Sequence, residues 1–231
     1  MNTTQPIQLN IGAGQTYIPG FVNIDISDKA DIQLDLSRDR LPFNADSVEL
    51  VFSYHTLEHV PDYLFALSEI HRVLRHGGRF LVGLPYATLT EYHLVNPYHF
   101  HSFNEYSFDF FCPEKLKGSA AETNPIIFNK IFHRFHYIGI FKIIPPPLRT
   151  WCRRHLLNVV RKIDYGLISI KNTETGSHAN KDSLMKEFQN CLNSRIPYEP
   201  VPAVSKTRAG LSVFRRTRSR LNHLHQWWLG K

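Results

Sequence analysis

Two groups of residues in this 231-residue chain could do chemistry. The first is Gly12-Ala13-Gly14, which follows the apolar-rich run Ile7-Gln8-Leu9-Asn10-Ile11, together with Asp25, which closes a second such run, Val22-Asn23-Ile24. A buried strand, a tight glycine turn and an acid at the tip of a neighbouring strand form the carboxyl edge of an open α/β sheet, where nucleotide-like ligands bind. The second group is a set of imidazoles and phenols. His55 and His59 follow the β-forming stretch Val48–Tyr54, and Tyr92, His93, Tyr98, His99 and His101 crowd into the stretch from Glu91 to His101. Histidine changes charge near neutral pH, so it is the side chain best placed to take a proton from an acceptor hydroxyl. A loop past a strand end is also where substrate contacts concentrate. A metal reading of His99-x-His101 is set aside, because no cysteine or paired acid completes it in the sequence. Cys112, Cys152 and Cys191 are far apart and suggest neither a disulfide framework nor a zinc site.

The elements that must position these residues follow from periodicity. Strands are expected at about Ile7–Ile11, Phe21–Ile26, Ile32–Leu36, Val48–Tyr54 and Arg79–Leu84. Leu64, Leu67, Ile70, Val73 and Leu74 recur at helical spacing, which predicts a helix over Asp62–His76 that stops at Gly77-Gly78. Residues 48–85 thus read as one βαβ unit. Ser102-Phe103-Asn104-Glu105 has the form of a capping box and predicts a helix to about Phe111. Ile126–Phe135 and Ile163–Lys171 alternate and are expected to pair as an antiparallel hairpin at the sheet edge, with 136–162 inserted as a basic amphipathic helix. Only Gln15–Gly20 separates the glycine turn from the second strand, whereas a parallel crossover normally takes a dozen residues or more. The fold class is therefore α/β, a Rossmann-like, open, mostly parallel seven-stranded sheet with an antiparallel edge hairpin and reduced first helices. Residues 1–171 form the ligand-binding domain, and 172–231 read as a linker and a basic C-terminal tail.

Composition supports a packed domain, with 42% hydrophobic residues. The net charge of +7 is localised. From Pro200 onward there is no Asp or Glu, and Lys206, Arg208, Arg215, Arg216, Arg218, Arg220 and Lys231 account for all of it. With Trp227 and Trp228 beside them, these cations suit an anionic membrane surface, as does the 136–162 segment. Nucleic acid is not the expected partner, since no recognisable nucleic-acid fold accompanies the tail. The N-terminus lacks signal-peptide features and no apolar run approaches a membrane span, so a cytoplasmic location, with peripheral membrane contact, is the expectation. The oligomeric state is left open.

Taken in order, Leu9-Asn10-Ile11-Gly12-Ala13-Gly14, Pro19–Asp25, Asp35-Leu36, Leu41-Pro42-Phe43, Val48–Tyr54, His55-Thr56-Leu57-Glu58-His59 and Arg72–Gly78 carry a resemblance. Over about residues 7–112 the chain resembles class I S-adenosylmethionine-dependent methyltransferases, in the small subgroup that includes many bacterial sugar and polysaccharide-locus enzymes. The resemblance implies that Asn10, Gly12, Ala13 and Gly14 lie along the cofactor, the glycines beside its methionine part. It implies that Asp25 accepts from the ribose hydroxyls and that Asp35 and Leu36 lie by the adenine. Ser53, Tyr54 and His55 would stand where methyl and acceptor meet. His55 and His99 are the candidate catalytic residues, and His59, Tyr92, Tyr98 and His101 the candidate acceptor contacts. Glu58 reads as a solvated acid with no catalytic part. A dinucleotide site would want a third glycine and a long helix aimed at a pyrophosphate, and both are missing here. The expected function is methyl transfer from S-adenosyl-L-methionine to a small-molecule or glycan-type acceptor. The alternative is a binding or scaffold protein without catalysis, against which the intact Gly12, Gly14 and Asp25 argue.

Overall fold

A seven-stranded sheet organises the computed structural model, which describes residues 6–112, 115, 126–171 and 179–198. In chain order its strands are β1 (Ile7–Ile11), β3 (Val22–Asp25), β4 (Ile32–Gln33), β5 (Val48–Tyr54), β6 (Leu74–Pro85), β7 (Phe128–Tyr137) and β8 (Val160–Ser169). A two-residue strand β2 (Thr16–Tyr17) pairs outside it with β9 (Ile196–Pro197). Across the sheet the order is β4-β3-β1-β5-β6-β8-β7. From β4 to β6 all pairs are parallel, and β8 runs antiparallel to both β6 and β7. The chain first winds outward from β1 through β3 to β4, then returns to β5 on the other side of β1. The strand order therefore reverses between β1 and β5, and a crevice at the carboxyl ends of these strands is the place such a sheet offers a ligand.

Both faces of the sheet are covered. The helix α1 (Tyr63–Val73) lays Ala66, Leu67, Ile70 and Val73 on the face that includes Leu9, Ile11, Val51 and Val82. Asp62 caps it, its carboxylate accepting the Phe65 amide at 2.9 Å. The opposite face, with Leu50, Phe52, Leu81 and Ile168, is covered by Leu184, Phe188 and Cys191 of a third helix, α3 (Lys181–Asn193). A second helix, α2 (Pro146–His155), stands in the segment between β7 and β8.

The structure differs from the sequence expectations at five places. The helix α1 ends at Val73 rather than His76, because Leu74 turns extended and opens β6, and Gly77 (φ +72°) sits where the β5–β6 register shifts. The glycine pair thus shapes a bulge in a strand instead of ending a helix. The third strand is two residues long, not five. The helix expected from Ser102 to Phe111 does not form: turns lead to a short 3-10 turn at Asp109–Phe111, because Glu105 is drawn into a buried ion pair with Arg153 and accepts the Tyr86 hydroxyl at 2.8 Å. The insertion helix is shorter than its pattern, Val159 and Val160 belonging to the approach and start of β8. Finally, residues 179–198, assigned by pattern to linker and tail, form α3 and β9, so the compact unit closes at Tyr198.

No crossover helix lies between β1 and β3. The chain turns at Gly12–Gly14, makes β2 and enters β3 within ten residues. The face that a first helix would occupy is filled from the far end of the chain by α3, and β9 then pairs antiparallel with β2. Among the described residues, no helix is long and apolar enough to cross a membrane.

Candidate active site

At the β1 tip the backbone folds back on itself. The amides of Gly12 and Ala13 both donate to the Ile24 carbonyl, at 2.8 and 3.1 Å, so the turn is stitched to β3 rather than to a helix. Gly12 (φ +71°) and Gly14 (φ +60°) take left-handed backbone that side chains disfavour. A Cβ on Gly12 would stand 2.0 Å from Thr56 Oγ1, so the β5 turn presses directly on this glycine. Asp25, at the end of β3, accepts the Gly14 amide on Oδ2 (2.8 Å) and the Ser27 amide on Oδ1 (3.0 Å). These bonds fix the carboxylate at the mouth of the crevice and leave each oxygen a further lone pair.

Around these groups lies a cleft of about 450 Å³, a volume within the range of small-ligand sites. Gly12, Gly14, Asp25, Asp35, Leu36, His55 and His59 all line it, together with Thr56 and Ser37, which were not among the expected site residues. Asp35 is engaged in its own turn. Its Oδ1 accepts the Ser37 hydroxyl (2.7 Å) and amide (2.9 Å), and its Oδ2 pairs with Arg38 at 3.1 Å. The Ser37 hydrogen bonds, with Arg38 adding to them, lower its pKa, so it presents an ionised edge at neutral pH.

A second cavity of about 370 Å³ adjoins the first, sharing His55. Tyr54, Tyr92 and His99 line it, with Arg161 and Lys162 from β8. Sequence patterning placed these two cations on the amphipathic insertion. Their appearance here follows from β8 lying beside β6, which brings the start of β8 to the carboxyl end of β6. Lys162 Nζ sits 4.7 Å from the Tyr54 ring centroid, and the Arg161 guanidinium 5.9 Å from that of Tyr92.

His55 connects the two cavities and is the least ordinary residue of the site. Its backbone is left-handed (φ +55°) without being glycine, a conformation that costs roughly 1–2 kcal/mol. Its amide donates to the Gly83 carbonyl at 2.8 Å, and its ring Nδ1 lies 3.1 Å from Glu58 Oε1. Glu58 is fully buried, which corrects the expectation of a solvated acid. A carboxylate buried this way needs a partner, and His55 is one. The other oxygen, Oε2, has no hydrogen-bond partner among the described residues. A ring nitrogen facing a carboxylate oxygen is a donor, so neutral His55 carries its lone pair on Nε2.

The histidine loop is tied down from three sides. Thr90–Leu94 forms one π-helical turn, anchored by Asn158, whose Oδ1 accepts from the Thr90 amide (2.7 Å) and hydroxyl (2.9 Å). The Phe100 amide donates to the Glu58 carbonyl at 2.7 Å. His93, buried, meets His99 Nδ1 to Nδ1 at 2.8 Å and Ser102 Oγ through Nε2 at 3.0 Å. Burial first, and the neighbouring imidazole second, lower the pKa of His93, and the same two causes, with His59 as neighbour, lower that of His99.

Five expected site residues stand apart from both cavities. Asn10 is buried and donates to Asn23 Oδ1 at 2.9 Å, a strut between β1 and β3. Ala13 is fully buried in the turn. Ser53 is also fully buried, its hydroxyl without a partner among the described residues. Tyr98 is 70% exposed, and its carbonyl faces His59 Nδ1 at 3.0 Å. His101 turns its Nε2 to the carbonyls of Val60 and Pro61 and packs on Tyr63.

Residues 20–82 match the family model described as "Methyltransferase domain". No curated protein sequence matches the chain. Among solved structures, the chain is similar to the YcgJ protein from Bacillus subtilis, with 16% identity, TM-score 0.45, covering 73% of this chain and 93% of that one. It is also similar to an S-adenosylmethionine dependent methyltransferase from Mesorhizobium loti (14% identity, TM-score 0.44, 70% and 90%). A third is geranyl diphosphate C-methyltransferase from Streptomyces coelicolor A3(2), with 13% identity, TM-score 0.46, and coverage of 72% and 71%.

Proposed function

We propose that this chain is a class I S-adenosylmethionine-dependent methyltransferase that moves the methyl group onto a small-molecule or glycan-type acceptor seated in the cavity of Tyr54, Tyr92 and His99. The single observation that carries the reading is His55, which lines both cavities and is held by a buried carboxylate.

The cleft fits the cofactor. A phosphate-free nucleoside needs an acceptor for its ribose hydroxyls and close backbone approach rather than a helix N-terminus. Asp25 has lone pairs to spare at the cleft mouth, Gly12 and Gly14 keep side chains out of the turn, and the volume suits a molecule of this size. Gly12, Gly14 and Asp25 would hold its amino-acid and ribose parts, and Asp35 and Leu36 its base. When bound, the cofactor supplies a methyl carbon already activated by a sulfonium. The protein's share is alignment and proton removal. Tyr54 and His55 at the β5 tip form the wall between cofactor and acceptor. His55 takes the acceptor proton at Nε2 while Glu58, a positioning residue, keeps Nδ1 protonated. His55 is preferred to His99, the other candidate, as the base because it lines both cavities, whereas His99 lines only the second. The Arg161 and Lys162 cations suit an acceptor that carries an anionic group, as a phosphate-linked glycan does. Contact with an anionic membrane through the 136–162 segment belongs to the same reading. The tail over 205–231, proposed to share that contact, lies outside the described residues.

Calorimetry with S-adenosylmethionine tests the reading. We expect binding by the full chain, weakened roughly 10–100-fold by Asp25→Ala, the loss of hydrogen bonds to a charged acceptor worth about 1.5–3 kcal/mol. Absence of binding by the unaltered protein, shown folded by its thermal transition, would overturn it.

A further inference from the structure

A second feature of the histidine loop goes beyond methyl transfer. One donor atom each from Glu58, His59 and His99 lies within 4.8 Å of the others. The three come from different places: Glu58 and His59 from the turn after β5, His99 from the loop after β6. The Phe100 amide bond to the Glu58 carbonyl holds the two segments together. We propose that these residues form a binding site for a single divalent cation of the zinc class.

The hydrogen bonds around the cluster set it up for this. His59 Nδ1 faces the Tyr98 carbonyl at 3.0 Å. A carbonyl only accepts, so Nδ1 carries the hydrogen and Nε2 keeps a lone pair. His99 meets His93 through Nδ1, and His93 reaches Ser102 Oγ through Nε2. When His93 Nε2–H donates to the serine, His93 Nδ1 accepts from His99 Nδ1–H, and the lone pair of His99 is again on Nε2. Each imidazole then has an outer hydrogen-bond partner on one nitrogen and a free donor pair on the other, the arrangement metal-ligating histidines show. The carboxylate behaves in the same way. Oε1 of Glu58 is held by His55, and Oε2, buried with the rest of the side chain, has no protein partner among the described residues. A buried oxygen without a hydrogen bond is costly, and a cation would offset that cost.

Two imidazoles and one carboxylate are a donor set used by catalytic zinc sites, which keep a fourth position for water or substrate. Donors about 2.0–2.1 Å from one tetrahedral ion stand roughly 3.4 Å apart, so a pair at the 4.8 Å limit needs to close by about 1.4 Å to bind. His99, which also lines the second cavity, leaves the open position near the proposed acceptor. That placement rests on the reading of the second cavity; binding of the ion does not. The acid that completes the set is one the sequence did not put opposite His99, since Glu58 lies 41 positions before it.

Titration of the full chain with Co²⁺, followed by its visible absorption and by competition with Zn²⁺, tests the site. We expect one equivalent in a low-symmetry, tetrahedral-type spectrum. Glu58→Gln, His59→Ala and His99→Ala should each weaken binding by more than the roughly 10–100-fold that loss of an outer partner costs. His155→Ala, at an exposed position at the end of α2, should leave it unchanged. No binding by the folded protein, or binding indifferent to all three ligand variants, overturns the site. Should Glu58→Gln fail to fold, His59→Ala and His99→Ala decide the question. The titration needs no S-adenosylmethionine, so its result and the calorimetric one stand or fall separately.

Discussion

The contact between His93 and His99 makes the loop sensitive to pH. Both pKa values are lowered, chiefly by burial. His71 and His133 are lowered by burial as well. In the unfolded chain these groups titrate near the ordinary histidine value of about 6.5. Below that pH the unfolded state binds more protons than the folded one, so stability rises with pH there. The contribution is complete above 6.5 and is lost as pH falls through the lowered folded values. Glu187, raised by burial, acts with the opposite sign, but in the lower range where carboxylates titrate. We expect the thermal midpoint to fall between about pH 7.5 and pH 5.5 and His93→Gln to flatten that slope. A midpoint constant over this range would mean that the two imidazoles are not held neutral. At this scale the sequence was legible where a residue type answers a backbone demand. Gly12 and Gly14 sit at positive φ, and Asp25 closes its strand. It was illegible for Glu58, because burial of an acid depends on what packs over it, here a loop about 40 residues away.

Among the elements, α3 is the one whose role is hardest to see in the chain and easiest to test. The short connection between β1 and β3 leaves one sheet face without its neighbouring helix. A sheet face rich in Leu and Phe must be covered. Phe188, fully buried, meets Phe52 at 5.6 Å between ring centroids, and Arg134 stands 5.7 Å from its ring. Phe188→Ala should cost about 3–5 kcal/mol, read from denaturant unfolding. A cost below about 1 kcal/mol would show that α3 is peripheral. The helical spacing of Leu184, Phe188 and Cys191 was present in the sequence. The polar stretch before it and the missing crossover helix gave no sign that the two facts answer each other. The strands β1 and β5 were legible to the residue, β1 by the strict alternation of Ile7, Leu9 and Ile11 with Gln8 and Asn10, and β5 by its nearly continuous apolar run. The capping box at Ser102 misled because Glu105 has a stronger partner in Arg153 than the local amide.

For the whole molecule, the question is where the charge and the exposed apolar surface go. The seven cations after Pro200 equal the net charge of +7, so the preceding residues are formally neutral. Within the described unit, the segment between β7 and β8 exposes Ile140 (66%), Ile143 (82%) and Trp151 (52%), with the exposed Arg154 on the same helix as Trp151. The helix α2 is at the same time seated, with Cys152 and Arg153 buried beneath it. A helix that buries one side and presents tryptophan and arginine on the other matches an interfacial element, whose binding adds apolar burial to attraction by anionic headgroups. Each cation near such a surface contributes about 1 kcal/mol, so the tail should supply most of the affinity and Trp151 the remainder. Co-sedimentation with phosphatidylserine-containing vesicles at low salt should therefore be strong for the full chain and nearly lost on truncation after Pro200. It should be weakened about 10-fold by Trp151→Glu, which removes apolar contact and adds a repelled charge. Raising the salt should release the full chain, since the Debye length falls to about 3 Å at 1 M. Equal sedimentation of the full and truncated chains would remove the tail from this role, and equal sedimentation of the Trp151 variant would remove the contact of α2.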